Sequence, residues 1–196
     1  IDNLNSKYLP ELNDEKKEKF QANLKTILKQ IQQIENLVNE FSDFARMPKP
    51  LIKNNDLIKV LDENINLLKK LDNSINFKIN NKTGKKVITN FDNEQFNRLF
   101  FNLIKNSIES IQEKAKKTNK SLKNIDIEIN QRRDYITINL IDTGEGFKDK
   151  KTKDIIKPYY TTKEKGTGLG LSIVDKIIND HNGSIKFLNT NNGAKV

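Results

Sequence analysis

Gly166-Thr167-Gly168-Leu169-Gly170-Leu171-Ser172 decides how the rest of this chain is read. Glycine stands at every second position, so the loop carries little side-chain bulk and its backbone N–H groups can approach an anion closely. An apolar helical pattern follows at once, with Leu171, Val174, Ile177 and Ile178 on one face. A glycine loop that opens a helix suits phosphate, because the N–H groups of the first turn and the helix dipole both favour negative charge. Many glycine-rich loops have no such role, so the reading depends on three further motifs upstream.

Outward from that loop, the bulk numbers set bounds. A chain of 196 residues with 35% hydrophobic residues can form one or two domains with a modest core. No apolar run approaches the roughly 20 residues that cross a bilayer, so a soluble cytoplasmic piece is expected. Cysteine is absent, which excludes disulfides and thiolate zinc sites. The net charge is +9, but acidic and basic residues are interleaved and aromatic residues do not punctuate a basic stripe. Nucleic-acid binding is therefore not expected.

Two regions are expected, 1–50 and 51–196. In the first, Phe20, Leu24, Ile27, Ile31, Ile34, Val38 and Phe41 are spaced 4, 3, 4, 3, 4, 3, a heptad seam within one helix over 14–46. Asn13 or Asp14 caps its start, and Pro48 and Pro50 stop it. Ile1, Leu4 and Tyr8 read as the end of a preceding helix, joined through Leu9-Pro10-Glu11-Leu12. The pair is a helical hairpin with its first arm cut short. Its wide apolar stripe is most simply buried in a homodimeric four-helix bundle.

In the second region, Leu57 to Lys70 is periodic as a helix, and Ile75, Phe77 and Ile79 alternate as a strand. A short strand is expected near Val87–Thr89. Asp92 with Gln95 resembles a capping box opening a helix to about residue 115. Ile125, Ile127 and Ile129, then Ile136, Ile138 and Leu140, alternate about a turn at Arg132-Arg133-Asp134 and predict a hairpin. Residues 147–165 read as a long functional loop. A helix over 169–180 ends near Gly183, expected to take the left-handed cap position, and Ile185 and Phe187 start a last strand whose end is cut short.

Three motifs join the glycine loop. Asn102 and Asn106 are i, i+4 on one helix face, and a side-chain carbonyl oxygen is a hard ligand suited to Mg²⁺. Asp142-Thr143-Gly144-Glu145-Gly146 follows a strand. A carboxylate there can accept the exocyclic amine of adenine while the glycines admit the base. Pro158-Tyr159-Tyr160-Thr161-Thr162-Lys163 lies in the long loop, where exposed tyrosines suggest a lid and Lys163 can meet a phosphate.

In this order the four motifs resemble the N, G1, F and G2 boxes of the ATP-binding domain of sensor histidine kinases, within the GHKL (Bergerat-fold) ATPases. The resemblance covers about residues 57–196. It implies an α+β fold: the helical hairpin, then an α/β sandwich with a mixed sheet and helices on one face. It also implies Mg-ATP as cofactor. Asn106 would be the metal ligand, Asn102 would assist at the phosphates, and Asp142, Gly144 and Gly146 would form the adenine site. Thr162, Lys163, Gly166, Thr167, Gly168, Leu169 and Gly170 would hold the triphosphate. The segment Glu40-Phe41-Ser42-Asp43-Phe44-Ala45-Arg46-Met47-Pro48-Lys49-Pro50 resembles NtrY-type nitrogen-regulation kinases. That likeness implies transfer of the γ-phosphoryl group to a histidine, then to an aspartate of a response regulator receiver domain, within a parent anchored in the bacterial inner membrane.

The family's acceptor histidine and its acidic neighbour would precede Ile1, so this piece is expected not to phosphorylate itself. His181, the single histidine, sits where a helix ends and reads as a cap. Two alternatives stand: a nucleotide-binding dimerisation module without catalysis, or another GHKL ATPase. The gyrase-like and MutL-like members carry a glutamate base where Asn102 stands, and they lack the heptad hairpin.

Overall fold

A computed structural model of the chain describes residues 8, 13–84, 86–118, 122–133, 135–147, 152–163 and 166–196. It divides into two compact units: Ile1–Met47 with Lys163–Thr167, and Pro48–Thr162 with Gly168–Val196.

The first unit is built on one long helix, α1 (Asp14–Ala45). Asn13 caps it, its Oδ1 accepting the Lys16 N–H at 3.1 Å, and Asp14 and Glu15 complement the dipole in the first turn. The helix ends at Arg46, just ahead of Pro48 and Pro50. Leu24 is buried and Phe20 half-buried, but the rest of the heptad seam faces outward, from Phe41 at 45% exposure to Ile34 at 63%. The expected preceding arm and its turn, apart from Tyr8, lie outside the described residues.

In the second unit, β1 (Lys53–Asp56) leads into α2 (Leu57–Leu71), then β2 (Asn76–Asn81) and β3 (Ile88–Phe91). Helix α3 (Asn93–Lys117) and the hairpin β4 (Asn124–Gln131) and β5 (Ile136–Asp142) follow. A short α4 (Thr152–Ile155) lies within the expected long loop, and α5 (Gly170–Asp180), β6 (Leu188–Asn189) and β7 (Ala194–Lys195) complete the order. The main sheet runs β2-β4-β5-β7-β6. Its β2–β4 pair is parallel and the others are antiparallel, so the sheet is mixed as expected.

Alternation makes the core. Ile125, Ile127 and Ile129 are fully buried on one face of β4, beneath α3. Each removes enough apolar surface to contribute about 2 kcal/mol. Their cross-strand partners on β5 are Asp142, Leu140 and Ile138. Asp142 therefore ends the strand on the helix-covered face, and it is 5% exposed. Helices α2 and α5 flank α3 on that same side.

Three local expectations change. Strand β1 carries Lys-Asn-Asn-Asp, with no β-forming signal, and pairs antiparallel with β3 from Lys53↔Phe91 to Asp56↔Ile88. The last strands begin at Leu188; Ile185 and Phe187 precede them, and Phe187 is an anchor at 6% exposure. The α5 terminus is capped by Asn182 at φ +56°, not by Gly183. The Gly183 N–H closes back on the Ile178 carbonyl at 2.8 Å and the Asn182 N–H on the Asn179 carbonyl at 3.0 Å, a Schellman pattern with asparagine in the left-handed position.

His181 is the cap residue, as expected, and does more. Its Nδ1–H donates to the Ile177 carbonyl at 2.8 Å, and its Nε2 accepts the Asp92 N–H at 3.0 Å. The expected capping box is therefore half formed. Asp92 Oδ1 accepts the Gln95 N–H at 3.0 Å, but the Gln95 side chain donates to the Pro48 carbonyl at 2.9 Å. His181 takes the place of the reciprocal partner, and Asp92 Oδ2 accepts the Leu51 N–H at 2.6 Å.

Candidate functional site

Helix α3 organises the site. Its apolar stripe (Leu99, Phe100, Leu103, Ile104, Ile108, Ile111) is held against the sheet and its neighbouring helices. A polar edge beside that stripe carries Asn102, Asn106, Ser107, Ser110 and Lys114. At a rise of about 1.5 Å per residue, Asn102 and Ser110 are about 12 Å apart along the axis, a span suited to a nucleotide.

At one end lies Asp142. Its Oδ2 accepts the Ser107 hydroxyl at 3.0 Å. Its Oδ1 accepts the Gly144 N–H at 2.8 Å and the Ala194 N–H at 3.3 Å. Burial pushes this carboxyl above the usual range, against the opposing pull of those three bonds and the Lys114 charge. Gly144 is buried against α3, where a Cβ would lie 2.7 Å from the Ser110 Cβ. The Ser110 hydroxyl accepts the Glu145 N–H at 2.9 Å. Gly146 turns the chain at φ +76°, and Asn189 brackets Phe147 by accepting its N–H at 2.6 Å and donating to its carbonyl at 2.8 Å. The result is an acceptor carboxylate at the mouth of a small-residue loop.

At the other end, the first turn of α5 meets the asparagines. A Cβ on Gly170 would lie 3.0 Å from Asn102 Oδ1 and 3.8 Å from Asn106 Nδ2, so glycine sets how closely the two helices approach. The Asn102 amide donates to the Arg98 carbonyl at 2.8 Å, which turns its oxygen toward the α5 terminus. No side chain caps α5, and Leu169, at its N-cap position, is a fully buried anchor. The first turn of α5 thus lies against a hard oxygen donor, and helix-start N–H groups with such an oxygen are a set that fits an anion together with Mg²⁺. Gly168 adopts φ +73°, and its missing Cβ would sit 2.7 Å from the Tyr160 nitrogen, so the Tyr159–Tyr160 backbone packs directly on the loop. Tyr159 is itself left-handed, at φ +66°.

Among the expected residues, Asn102, Asn106, Asp142, Gly144, Gly146, Gly168, Leu169 and Gly170 lie in the second unit. Thr162 is also there, exposed beyond α4. Lys163, Gly166 and Thr167 group with the helical unit, where the Thr167 hydroxyl donates to the Glu40 carboxylate. Parts of the expected lid, 148–151 and 164–165, lie outside the described residues. Ser107, Ser110 and Lys114 were not anticipated. The i+4 ladder from Asn102 through Asn106 and Ser110 to Lys114 was the available signal.

Two depressions lie elsewhere. One, of about 490 Å³, borders Arg132 and Tyr135 at the hairpin end, and one of about 500 Å³ borders β1.

Comparison with known proteins bears on the family and the fold. Residues 91–196 match the family described as histidine kinase-, DNA gyrase B-, and HSP90-like ATPase. The chain is 32% identical over 83% of its length to the nitrogen regulation protein NtrY of Azorhizobium caulinodans. It is also 32% identical, over 97% of its length, to a sensor histidine kinase described as putative and NtrY-like in Rickettsia bellii. It spans only 21% and 30% of those two proteins. In fold it is similar to the catalytic domain of histidine kinase ThkA, with a TM-score of 0.63 at 24% identity, covering 74% of this chain and 91% of that one. The Acinetobacter baumannii histidine kinase AdeS gives 0.66 at 18% identity, covering 88% of this chain and 80% of that one. With the family's sequence pattern matched over more than half its residues, the chain belongs to the histidine kinase-, DNA gyrase B- and HSP90-like ATPases.

Proposed function

We propose that this chain is the ATP-binding catalytic part of a sensor histidine kinase, with a boundary between its helical and catalytic regions near residue 50. The observation that carries the reading is the polar edge of α3. It touches the Asp142 carboxylate through Ser107 and the first turn of α5 through Asn102. Asp142 accepts the adenine amine, and Gly144 and Gly146 admit the ring. Asn106 would hold Mg²⁺ through its side-chain oxygen, and Asn102 would assist at the phosphates. The amides of Gly168 to Gly170, with Thr162, hold the phosphates. The metal supplies charge neutralisation, and the protein supplies position, which is most of what phosphoryl transfer requires.

The likeness to NtrY-type proteins supports a role in two-component signalling, and in nitrogen regulation in particular. In that reading two copies associate through the α1 seam, the γ-phosphoryl group passes to a histidine, and a response regulator receiver domain takes it onto an aspartate. The parent is a membrane-anchored protein of the inner membrane that presents this part to the cytoplasm. Among the described residues no helix is long and apolar enough to cross a membrane.

The test is calorimetric titration with Mg-ATP, followed by single-turnover transfer from labelled ATP to a separately supplied histidine-bearing helical bundle. Saturable binding and acid-labile label on the bundle are expected. Binding without transfer would favour a nucleotide-binding dimerisation module, and hydrolysis without transfer would favour another ATPase of the family.

A further inference from the structure

We propose that Lys114 is a specificity-determining positioning residue for the purine base. The inference rests on Asp142 being the acceptor of the adenine amine. Lys114 projects from the fourth turn of the α3 polar edge and is half-buried. An ammonium group has three N–H donors, and all three are used here on backbone carbonyls. They reach Thr143 O at 3.0 Å, Gly144 O at 3.0 Å and Asn192 O at 2.5 Å.

These carbonyls belong to two separate backbone segments. The Thr143–Gly144 segment supplies the Gly144 N–H that holds Asp142 Oδ1. The Asn192–Ala194 segment supplies the Ala194 N–H on the same oxygen. Between them the backbones touch, since a Cβ on Gly193 would sit 2.8 Å from the Gly144 nitrogen. One cation thus ties together both donors that set the rotation of the carboxylate. The Ser107 hydroxyl, from two turns of α3 away, fixes the other oxygen at 3.0 Å. Without the ammonium, three carbonyl oxygens crowd one spot with no positive charge between them, and the two segments separate.

The neighbouring cations do not duplicate this. Lys117 pairs with the Glu145 carboxylate at the loop's edge. Lys195 alternates with buried Ala194 and so falls on the opposite face of β7. A residue that merely propped up the fold would, when removed, weaken every nucleotide alike. A residue that orients Asp142 governs the preference for an exocyclic amine, because a misdirected carboxylate no longer rewards the donor of adenine.

The experiment compares ATP with inosine triphosphate, which carries a carbonyl where adenine carries the amine. Both are titrated calorimetrically into the whole chain and its variants in the presence of Mg²⁺. In the unmodified chain ATP is expected to bind more tightly than inosine triphosphate. Lys114→Met is expected to lower the ATP-to-inosine triphosphate affinity ratio by about tenfold, the loss of one charge-assisted bond. Lys114→Arg, which keeps the charge, is expected to recover part of the ratio. Thermal melting of each variant establishes that it is folded. Equal losses for both nucleotides, or no loss at all, in folded Lys114→Met would overturn the assignment of Lys114. Absence of any preference in the unmodified chain would instead remove Asp142 as the base acceptor, and so marks a failure of the underlying reading.

Discussion

At the scale of the residue, Asp142 combines the proposed role of base acceptor with the cost of a buried charge. It is a nearly buried carboxylate held by two amides and one hydroxyl. Its folded-state pKa is raised above its unfolded value, with burial the leading cause. The native state therefore binds the proton more strongly, and the stability Asp142 contributes falls as pH rises from the ordinary carboxylate range through the raised value. Function runs the other way, since accepting the adenine amine needs the ionised form, and ATP affinity is expected to fall as pH drops through that window. Asp142→Asn separates the two effects. The retained Oδ1 can still accept Gly144 and Ala194, and the new amide can donate to Ser107. It faces the adenine amine donor to donor, however. ATP affinity is expected to fall at least about tenfold, while the melting temperature at neutral pH stays level or rises. A parallel loss of melting temperature would show that the carboxylate is structural.

At the scale of the element, α3 is held at its start by a knot of four backbone and side-chain groups. Asp92 caps the helix and receives the Leu51 N–H, and its own N–H goes to His181 at the end of α5. The two helices that frame the proposed phosphate site are thus fastened at the end remote from it. Phe96 completes the knot, packing edge-on to the His181 ring at 4.9 Å. Asp92→Ala removes a buried cap and a second acceptor, an expected loss of about 2–4 kcal/mol in chemical denaturation. The Asp92→Ala and His181→Ala losses should be strongly non-additive, because both open one network; simple additivity would show two independent sites.

Elements with a period were legible in the sequence: α1, α2, α3, the β4–β5 hairpin and α5. Those defined by partners were not. Strand β1 has no apolar alternation of its own and exists because β3 offers it an edge. The half-formed capping box depended on His181, 89 residues away, which no local pattern reports. Within the site, the residues with singular chemistry stood out, whereas Ser107 and Lys114 look like ordinary surface helix residues. Only the fold brings Ser107 under Asp142 and Lys114 onto three carbonyls.

At the scale of the whole molecule, the two units differ in how they satisfy their apolar residues. The second unit buries a core of isoleucines internally, with Ile104, Ile111, Ile125, Ile127 and Ile129 fully covered. The first leaves Ile27, Ile31, Ile34 and Val38 more than half exposed along one seam. A continuous stripe of that kind calls for a partner, and the heptad spacing fits a second copy. Sedimentation at micromolar concentration is expected to show a dimer, and Ile31→Lys with Ile34→Lys should shift it to monomer by placing charges in the seam. Nucleotide affinity should survive in that monomer, since the second unit holds the α3 edge by itself. A dimer unaffected by both charges would place association elsewhere.

The central claim is that one nucleotide spans the α3 edge, from the Asp142 carboxylate to the first turn of α5. Amide chemical shifts of the isotope-labelled chain, followed through titration with a non-hydrolysable ATP analogue and Mg²⁺, test it most directly. The amides of Asp142, Thr143 and Gly144 and those of Gly168, Gly170 and Leu171 are expected to move together, with one common dissociation constant. Movement of one group without the other, or two unequal constants, would contradict a single shared site.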